Sequence, residues 1–98
     1  MVEHIVLVKL SEDVTDDQVD ELISRTLALK DVIPGLLDIQ QGRNFAGRNQ
    51  GYEIGMTARF EDRTTFEAYL PHPSHQAILA YLEEIGLEDL IVVDFDTN

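Results

Sequence analysis

The sequence contains no cysteine and no tryptophan. Without cysteine there is no disulfide, no thiolate nucleophile and no zinc site with cysteine ligands. No apolar run approaches the roughly 20 residues of a membrane-spanning helix, and the N-terminus lacks the pattern of a secretory signal peptide. We therefore expect a cytoplasmic location and no membrane partner.

Basic residues are also scarce in this chain. Seven Lys and Arg stand against nineteen Asp and Glu, which gives a net charge of −12 at neutral pH. Such a chain repels a phosphate backbone, so a nucleic-acid partner is not expected. The 98 residues are 44% hydrophobic and 27% charged, a composition typical of a globular chain with one core. We expect a single domain over residues 1–98.

Hydrophobic periodicity predicts strands and helices in alternation. The first helix has a capping box, Thr15 with Gln18, and Asp62 can cap a second helix that Pro71 interrupts. The predicted order is β-α-β-β-α-β, the arrangement of a ferredoxin-like α+β fold. The predicted strands cover residues 2–10, 36–43, 52–60 and 90–95, and one helical region lies in each of the two long intervals.

The same periodicity predicts which side chains share a face. On the second strand, Leu37, Ile39 and Gln41 share one face. On the first helix, the stripe that faces the sheet consists of Val19, Leu22, Ile23, Thr26 and Leu27, and it can continue to Lys30.

Both faces of the first predicted strand are substantially apolar, which indicates a sheet that is covered on both sides. Helices can cover one face. A second copy packed sheet to sheet would cover the other, so we predict a two-fold homodimer. A monomer with a wetted sheet face is the alternative.

The histidines point to a site between the sheet and the helices. His75 lies on the apolar stripe of the second helical region, Tyr69 on the inward face of the turn before it, and His4 on the strand face that they cover. A partly buried imidazole beside a phenol is a workable acid–base pair, because His titrates near neutral pH and Tyr can orient a carbonyl or enolate oxygen. Each of the three could instead be an ordinary core residue. His72, at the proline break, is expected to cap or pack.

The motifs of several other chemistries are absent from the sequence. His72 and His75 alone make a poor metal pair, and no His-Glu-x-x-His pattern occurs. There is no glycine-rich phosphate loop, no Gly-x-Ser-x-Gly turn and no flavin or nicotinamide fingerprint. We therefore expect neither a metal nor a cofactor.

Several segments together resemble the stress-responsive A/B barrel (Dabb) family along the whole chain. The most specific of them is the Tyr-x-x-His-Pro-x-His segment, Tyr69 to His75. The other matching segments are His4-Ile-Val-Leu-Val-Lys, Ile33-Pro-Gly-Leu, Gly51-Tyr52 and Asp94-Phe95. The resemblance implies a dimeric α/β barrel of two ferredoxin-like subunits, with a pocket inside each subunit.

The resemblance also implies a chemistry. Most members have no established reaction, but a plant polyketide cyclase of the family closes a ring by aldol chemistry with a Tyr and a His that match Tyr69 and His75. A pocket His on its first strand matches His4, whereas a further pocket His is replaced by Ile54 here, which implies a drier pocket. The implied apolar lining is Val6, Val8, Ile39, Ile54, Met56, Leu79, Leu90 and Val92.

Three functions remain open at the level of sequence. The first is cofactor-free acid–base chemistry, meaning cyclisation, isomerisation or decarboxylation of a small carbonyl or polyketide-like compound, with His75 as base and Tyr69 as orienting acid. The second is a non-catalytic or stress-protective dimer that holds a small apolar ligand. The third is a cofactor-free monooxygenase of the same barrel fold, against which the absence of Trp argues.

Overall fold

The computed structural model describes residues 1–97, which form one four-stranded antiparallel sheet with helices on one face. The strands are β1 (Val2–Leu10), β2 (Leu36–Arg43), β3 (Tyr52–Phe60) and β4 (Leu87–Asp96), in the spatial order β2-β3-β1-β4. The helices are α1 (Asp16–Leu27), α2 (Arg63–Tyr69) and α3 (Pro73–Ile85), and a 3₁₀ helix, Ala28–Asp31, follows α1. The predicted ferredoxin-like arrangement is confirmed, with the second helical region divided in two.

The predicted helix starts are confirmed by their hydrogen bonds. The N–H of Gln18 donates to Thr15 Oγ1 at 3.2 Å, and the N–H of Thr15 donates to Gln18 Oε1 at 3.0 Å. At α2, the N–H of Thr65 donates to Asp62 Oδ1 at 2.8 Å. Each cap satisfies backbone N–H groups that have no partner within the helix. No helix within residues 1–97 has the length and hydropathy needed to cross a membrane.

The proline break fixes how α2 and α3 meet. The N–H of Ser74 donates to His72 Nδ1 at 3.0 Å, so this imidazole caps α3, and Pro73 occupies the first turn. Proline suits that position because its missing N–H would have no helical partner there. As a result, Tyr69 ends one helix and His75 lies in the first turn of the next.

Two predicted positions are wrong, and Lys30, where the stripe on α1 was expected to end, is exposed. Leu27 is 38% exposed, and Leu29 is buried instead, because the chain tightens into a 3₁₀ helix after α1 and its side chains change direction. Leu37 is 43% exposed, because a register shift after Leu36 brings Leu36 and Ile39 to the inward face. In addition, β4 begins at Leu87, three residues before the predicted start at residue 90.

Two apolar clusters fill the space between the sheet and the helices. One surrounds Phe60 and Tyr69, and the other contains Leu22 and Leu82. Val6 and Ile78 pack against both clusters, so they mark the boundary between them.

The opposite face of the sheet carries an apolar area that no helix within residues 1–97 covers. On β4, Ile91, Val93 and Phe95 are 40%, 47% and 46% exposed. Their neighbours on β1 are Leu7, which pairs with Ile91, and Ile5, which pairs with Val93. We call these five residues the outer face.

Candidate active site

A partly enclosed cavity lies between the sheet and the helices, and both members of the predicted acid–base pair line it. Tyr69 enters from the end of α2 and His75 from the first turn of α3. The centre of a water molecule can occupy about 90 Å³ of the cavity. Because roughly 10–15 Å³ measured in this way holds one water, there is room for a small organic molecule. Six of the predicted lining residues are in its wall: Val6, Val8, Met56, Leu79, Leu90 and Val92.

One row of residues across the sheet forms the floor of this cavity. Gln41 on β2 pairs with Met56 on β3, Met56 pairs with Val6 on β1, and Val6 pairs with Val92 on β4. Since neighbouring strands lie about 4.8 Å apart, the row spans roughly 14 Å. Val92 is 49% exposed, so the β4 end of the row is open to solvent, whereas the β2 end carries a polar side chain.

His75 is held in a form that can accept a proton. Its Nδ1–H donates to the carbonyl oxygen of Leu70 at 2.9 Å, which leaves Nε2 as the nitrogen with a free lone pair. Burial lowers the pKa of His75, as do the nearby His4 and His72, while the bond to the Leu70 carbonyl opposes the shift. The imidazole is therefore neutral at pH 7, as a general base must be.

Tyr69 is held in a form that can donate a proton. The side chain is 3% exposed, and its ring packs 4.1 Å from the His75 ring and 4.9 Å from the Phe60 ring, centroid to centroid. Burial raises the pKa of Tyr69 to about 12. The phenol is consequently protonated throughout the neutral range and available as a hydrogen-bond donor.

His4 lies beside the cavity but is not part of its wall. It is 5% exposed, and its Nδ1–H donates to Asp94 Oδ1 at 2.5 Å. Its ring centroid is 5.1 Å from that of Phe66 and 6.1 Å from that of Tyr69. The structure thus places His4 behind the Tyr69 ring, held by a carboxylate on the neighbouring strand.

Ile39 and Ile54, which were also expected in the pocket wall, lie in the core instead. They are 5% and 1% exposed. Ile54 packs in the cluster that contains Leu22, and Ile39 packs in the cluster that contains Leu29. Both side chains are therefore packed among other apolar core residues.

Five lining residues were not predicted, and two of them are polar. Thr26, which is 1% exposed, and Gln41 both line the cavity. Thr26 Oγ1 and Gln41 Oε1 are buried without a hydrogen-bond partner among residues 1–97. Thr26 had been placed on the stripe of α1 that covers the sheet, and Gln41 on the same strand face as Ile39. The signal that could have found both is a polar side chain on an apolar face. The other three are Leu29, Ile78 and Leu82.

Metal-ligand residues are dispersed in the part of the chain that the structure describes. No three His, Asp or Glu side chains within residues 1–97 come together in a group that could hold a metal ion. The reactive groups that the cavity does bring together are one imidazole and one phenol, with a hydroxyl and an amide in the same wall.

Comparison with known proteins gives one family and several related folds. The family model described as Stress responsive A/B Barrel Domain matches residues 2–97. Among curated proteins, olivetolic acid cyclase from Cannabis sativa is 28% identical over 76 residues, which are 76% of this chain and 75% of that protein.

Solved structures give the same fold. A dimeric ferredoxin-like protein of unknown function from Thermobifida fusca superposes with a TM-score of 0.85 at 30% identity, over 98% of this chain and 90% of that one. The hydroxynitrile lyase from Passiflora edulis superposes with a TM-score of 0.86, over 99% of this chain and 93% of that one. Its identity is 18%, so this likeness shows the fold alone.

Proposed function

The chain belongs to the stress-responsive A/B barrel domain family, and from that premise we propose that its cavity catalyses cofactor-free acid–base chemistry on a small, mostly apolar carbonyl compound. One observation carries the proposal. The imidazole of His75 and the phenol of Tyr69 lie 4.1 Å apart at their ring centroids in the wall of one cavity, where burial lowers the pKa of His75 and raises that of Tyr69.

The proposed first step makes an enolate. The substrate carbonyl oxygen accepts a hydrogen bond from the Tyr69 hydroxyl, and His75 Nε2 takes a proton from the carbon next to the carbonyl. The electron pair of the broken C–H bond moves to the carbonyl oxygen, where the Tyr69 O–H stabilises the negative charge. The Leu70 carbonyl, which already accepts from Nδ1–H, supports the imidazolium that forms.

The enolate then determines the product. Attack of its carbon on a second carbonyl closes a ring, and the alkoxide that forms takes the proton from the His75 imidazolium. In an unsaturated ketone the enolate is conjugated with a carbon–carbon double bond, and return of that proton to the far end of the conjugated system gives an isomer. Loss of carbon dioxide from a β-keto acid reaches the same enolate without the first proton transfer. The relative from Cannabis sativa is named a cyclase, which supports ring closure among the three.

The proposal also includes a homodimer joined through the outer face. The three outer-face residues that lie on β4 are each at least 40% exposed. An exposed apolar surface of this kind is usual where a partner binds. The Thermobifida fusca relative, 30% identical, is described as dimeric. Burying this face against a second copy leaves the cavity of each subunit on the helical side of its own sheet.

Hydrogen–deuterium exchange at the carbon next to a carbonyl tests the proposal, and this experiment does not require the natural substrate to be known. In D₂O at pH 7, the hydrogens next to the carbonyl of 4-phenylbutan-2-one should exchange faster with the protein than with free imidazole at the same concentration, as measured by proton NMR. His75→Asn keeps an N–H for the Leu70 carbonyl but removes the base, so the acceleration should fall by about 10²- to 10⁴-fold. Tyr69→Phe removes one hydrogen-bond donor and should cost roughly 10²-fold.

His72→Asn is the matched control for this experiment. It removes an imidazole three residues from His75, and Asn is itself a good N-cap, so α3 should keep its start. The exchange rate should change little, because His72 has the smallest of the four effects on the pKa of His75. Exchange by His75→Asn at the wild-type rate would contradict the proposal. Binding of the ketone with no exchange would favour the non-catalytic ligand-binding alternative.

A further inference from the structure

The cavity wall contains two further polar side chains apart from the acid–base pair. Thr26 reaches it from α1 and Gln41 from the edge strand β2, whereas Tyr69 and His75 come from α2 and α3. Thr26 Oγ1 and Gln41 Oε1 have no hydrogen-bond partner within residues 1–97, so neither is bonded to Tyr69 or His75.

Buried polar atoms without a partner are uncommon in proteins, and each requires an explanation. Thr26 is 1% exposed, yet Val has the same shape and would fill its place without burying a hydroxyl. Gln41 lies at the β2 end of the floor row, next to Met56 on β3. Both residues line the same cavity, and a ligand in that cavity can supply the missing partner.

We propose that Thr26 and Gln41 bind a hydroxyl group of the ligand, so that the preferred substrate is a hydroxylated carbonyl compound, such as a phenolic or enolic ketone. A hydroxyl can donate to Gln41 Oε1 and at the same time accept from the Thr26 O–H. A carbonyl or ether oxygen can only accept, so it leaves Gln41 Oε1 without a donor. The inference rests on the proposed function in one respect, that the cavity receives the ligand whose carbonyl meets Tyr69.

The dimensions of the floor row suit such a ligand. The row spans roughly 14 Å between Gln41 and the open end at Val92, at about 4.8 Å per strand. The residues between the two ends, Met56 and Val6, are apolar. A ligand with an apolar body and two separated oxygens can therefore lie along the row with its hydroxyl at the β2 end.

Two ketones that differ by a single hydroxyl test this inference. The dissociation constants of 4-(4-hydroxyphenyl)butan-2-one and 4-phenylbutan-2-one are measured by titration calorimetry for wild type and variants. Wild type should bind the hydroxylated ketone about tenfold more tightly, the size expected for one or two buried hydrogen bonds. In the double variant Thr26→Val with Gln41→Met the ratio should fall to about one, and Thr26→Ser should retain it.

Two further measurements separate ligand recognition from a role in folding. Thr26→Val should melt at the wild-type temperature or above, because it removes a buried hydroxyl that has no partner within residues 1–97. The exposed Thr64→Val, on α2, is the control and should leave the affinity ratio unchanged. A sharply lower melting temperature for Thr26→Val would assign the hydroxyl to the fold and contradict the inference.

The outcomes distinguish this inference from the proposed function. Equal affinity of wild type for the two ketones, or a ratio that persists in the double variant, overturns the inference and leaves hydrogen exchange of 4-phenylbutan-2-one by His75 intact. Absence of exchange with a preserved affinity ratio overturns the catalytic proposal alone. If neither ketone binds, both are wrong.

Discussion

At the scale of single residues, one physical cause prepares both members of the acid–base pair. Burial disfavours the charged form of any titratable group, and the charged forms of His and Tyr have opposite signs. The pKa of His75 is therefore lowered and the pKa of Tyr69 is raised, to about 12. The imidazole can accept a proton and the phenol can donate a hydrogen bond at the same pH.

The lowered pKa of His75 also predicts how stability depends on pH. Above pH 6.5 the residue is neutral in both folded and unfolded chains. As the pH falls below 6.5, the unfolded chain binds a proton that the folded chain does not, so the free energy of unfolding decreases. His75→Asn should therefore lose less stability between pH 7 and pH 5 than wild type does, as measured by urea denaturation.

The control for that measurement is His72→Asn, which removes an imidazole outside the cavity. It should keep most of the pH dependence of wild type. If His75→Asn and wild type have the same pH dependence, the imidazole is not desolvated in the folded state.

The sequence allowed some members of the site to be predicted and not others. Tyr69 and His75 lie in a segment whose periodicity and proline break determine which way each points. Thr26 and Gln41 could be placed on inward faces, but whether an inward side chain borders a cavity or fills the core depends on how four elements pack. The same reason explains why Ile54, placed in the pocket by resemblance, lies in the core.

At the scale of elements, the position of α2 depends on a glycine turn before β2. Gly35 has φ = +80°, and a Cβ added there would lie 2.5 Å from the Cβ of Thr65 in the first turn of α2. An L side chain rarely adopts this backbone conformation. The close approach lets the first turn of α2 pack directly on the turn that precedes β2.

Gly35→Ala should consequently destabilise the protein by roughly 2 kcal/mol, from the left-handed backbone and the displacement of Thr65. For a domain of this size the melting temperature should fall by about 10 °C. Gly42→Ala is the matched control, because a Cβ there meets no other described atom within 4 Å. It should melt within a few degrees of wild type, and equal melting of the two variants would contradict the account of the turn.

Element order and helix starts could be predicted because they depend on local signals such as the Thr15 capping box. The register shift after Leu36 and the 3₁₀ helix that buries Leu29 could not, because neither has a local sequence signal of that kind. Such adjustments change which side chains face inward while leaving the topology as predicted.

At the scale of the whole molecule, the outer face and the net charge have opposite effects on the association of two copies: the apolar face favours it and the charge opposes it. A charge of −12 on each copy repels a second copy, so the attraction between sheets must come from apolar burial. Ile91, Val93 and Phe95 supply that area on β4.

Val93→Glu should therefore convert the proposed dimer into a monomer, because a carboxylate would be buried in an apolar interface. Light scattering should give a mass of 11.1 kDa for the variant and twice that for wild type. Val32→Glu, at a residue 52% exposed outside the sheet, should remain dimeric. A monomeric wild type would contradict the barrel assembly.

The most direct test of the central claim compares two titrations of the same protein. The pKa of His75 is read from its imidazole ¹⁵N shifts, and the midpoint of the pH profile is read from hydrogen exchange of 4-phenylbutan-2-one. The account predicts that the two values coincide below 6.5, that the rate rises with pH through that midpoint, and that the profile disappears in His75→Asn. An exchange rate whose midpoint does not follow the His75 titration would contradict it.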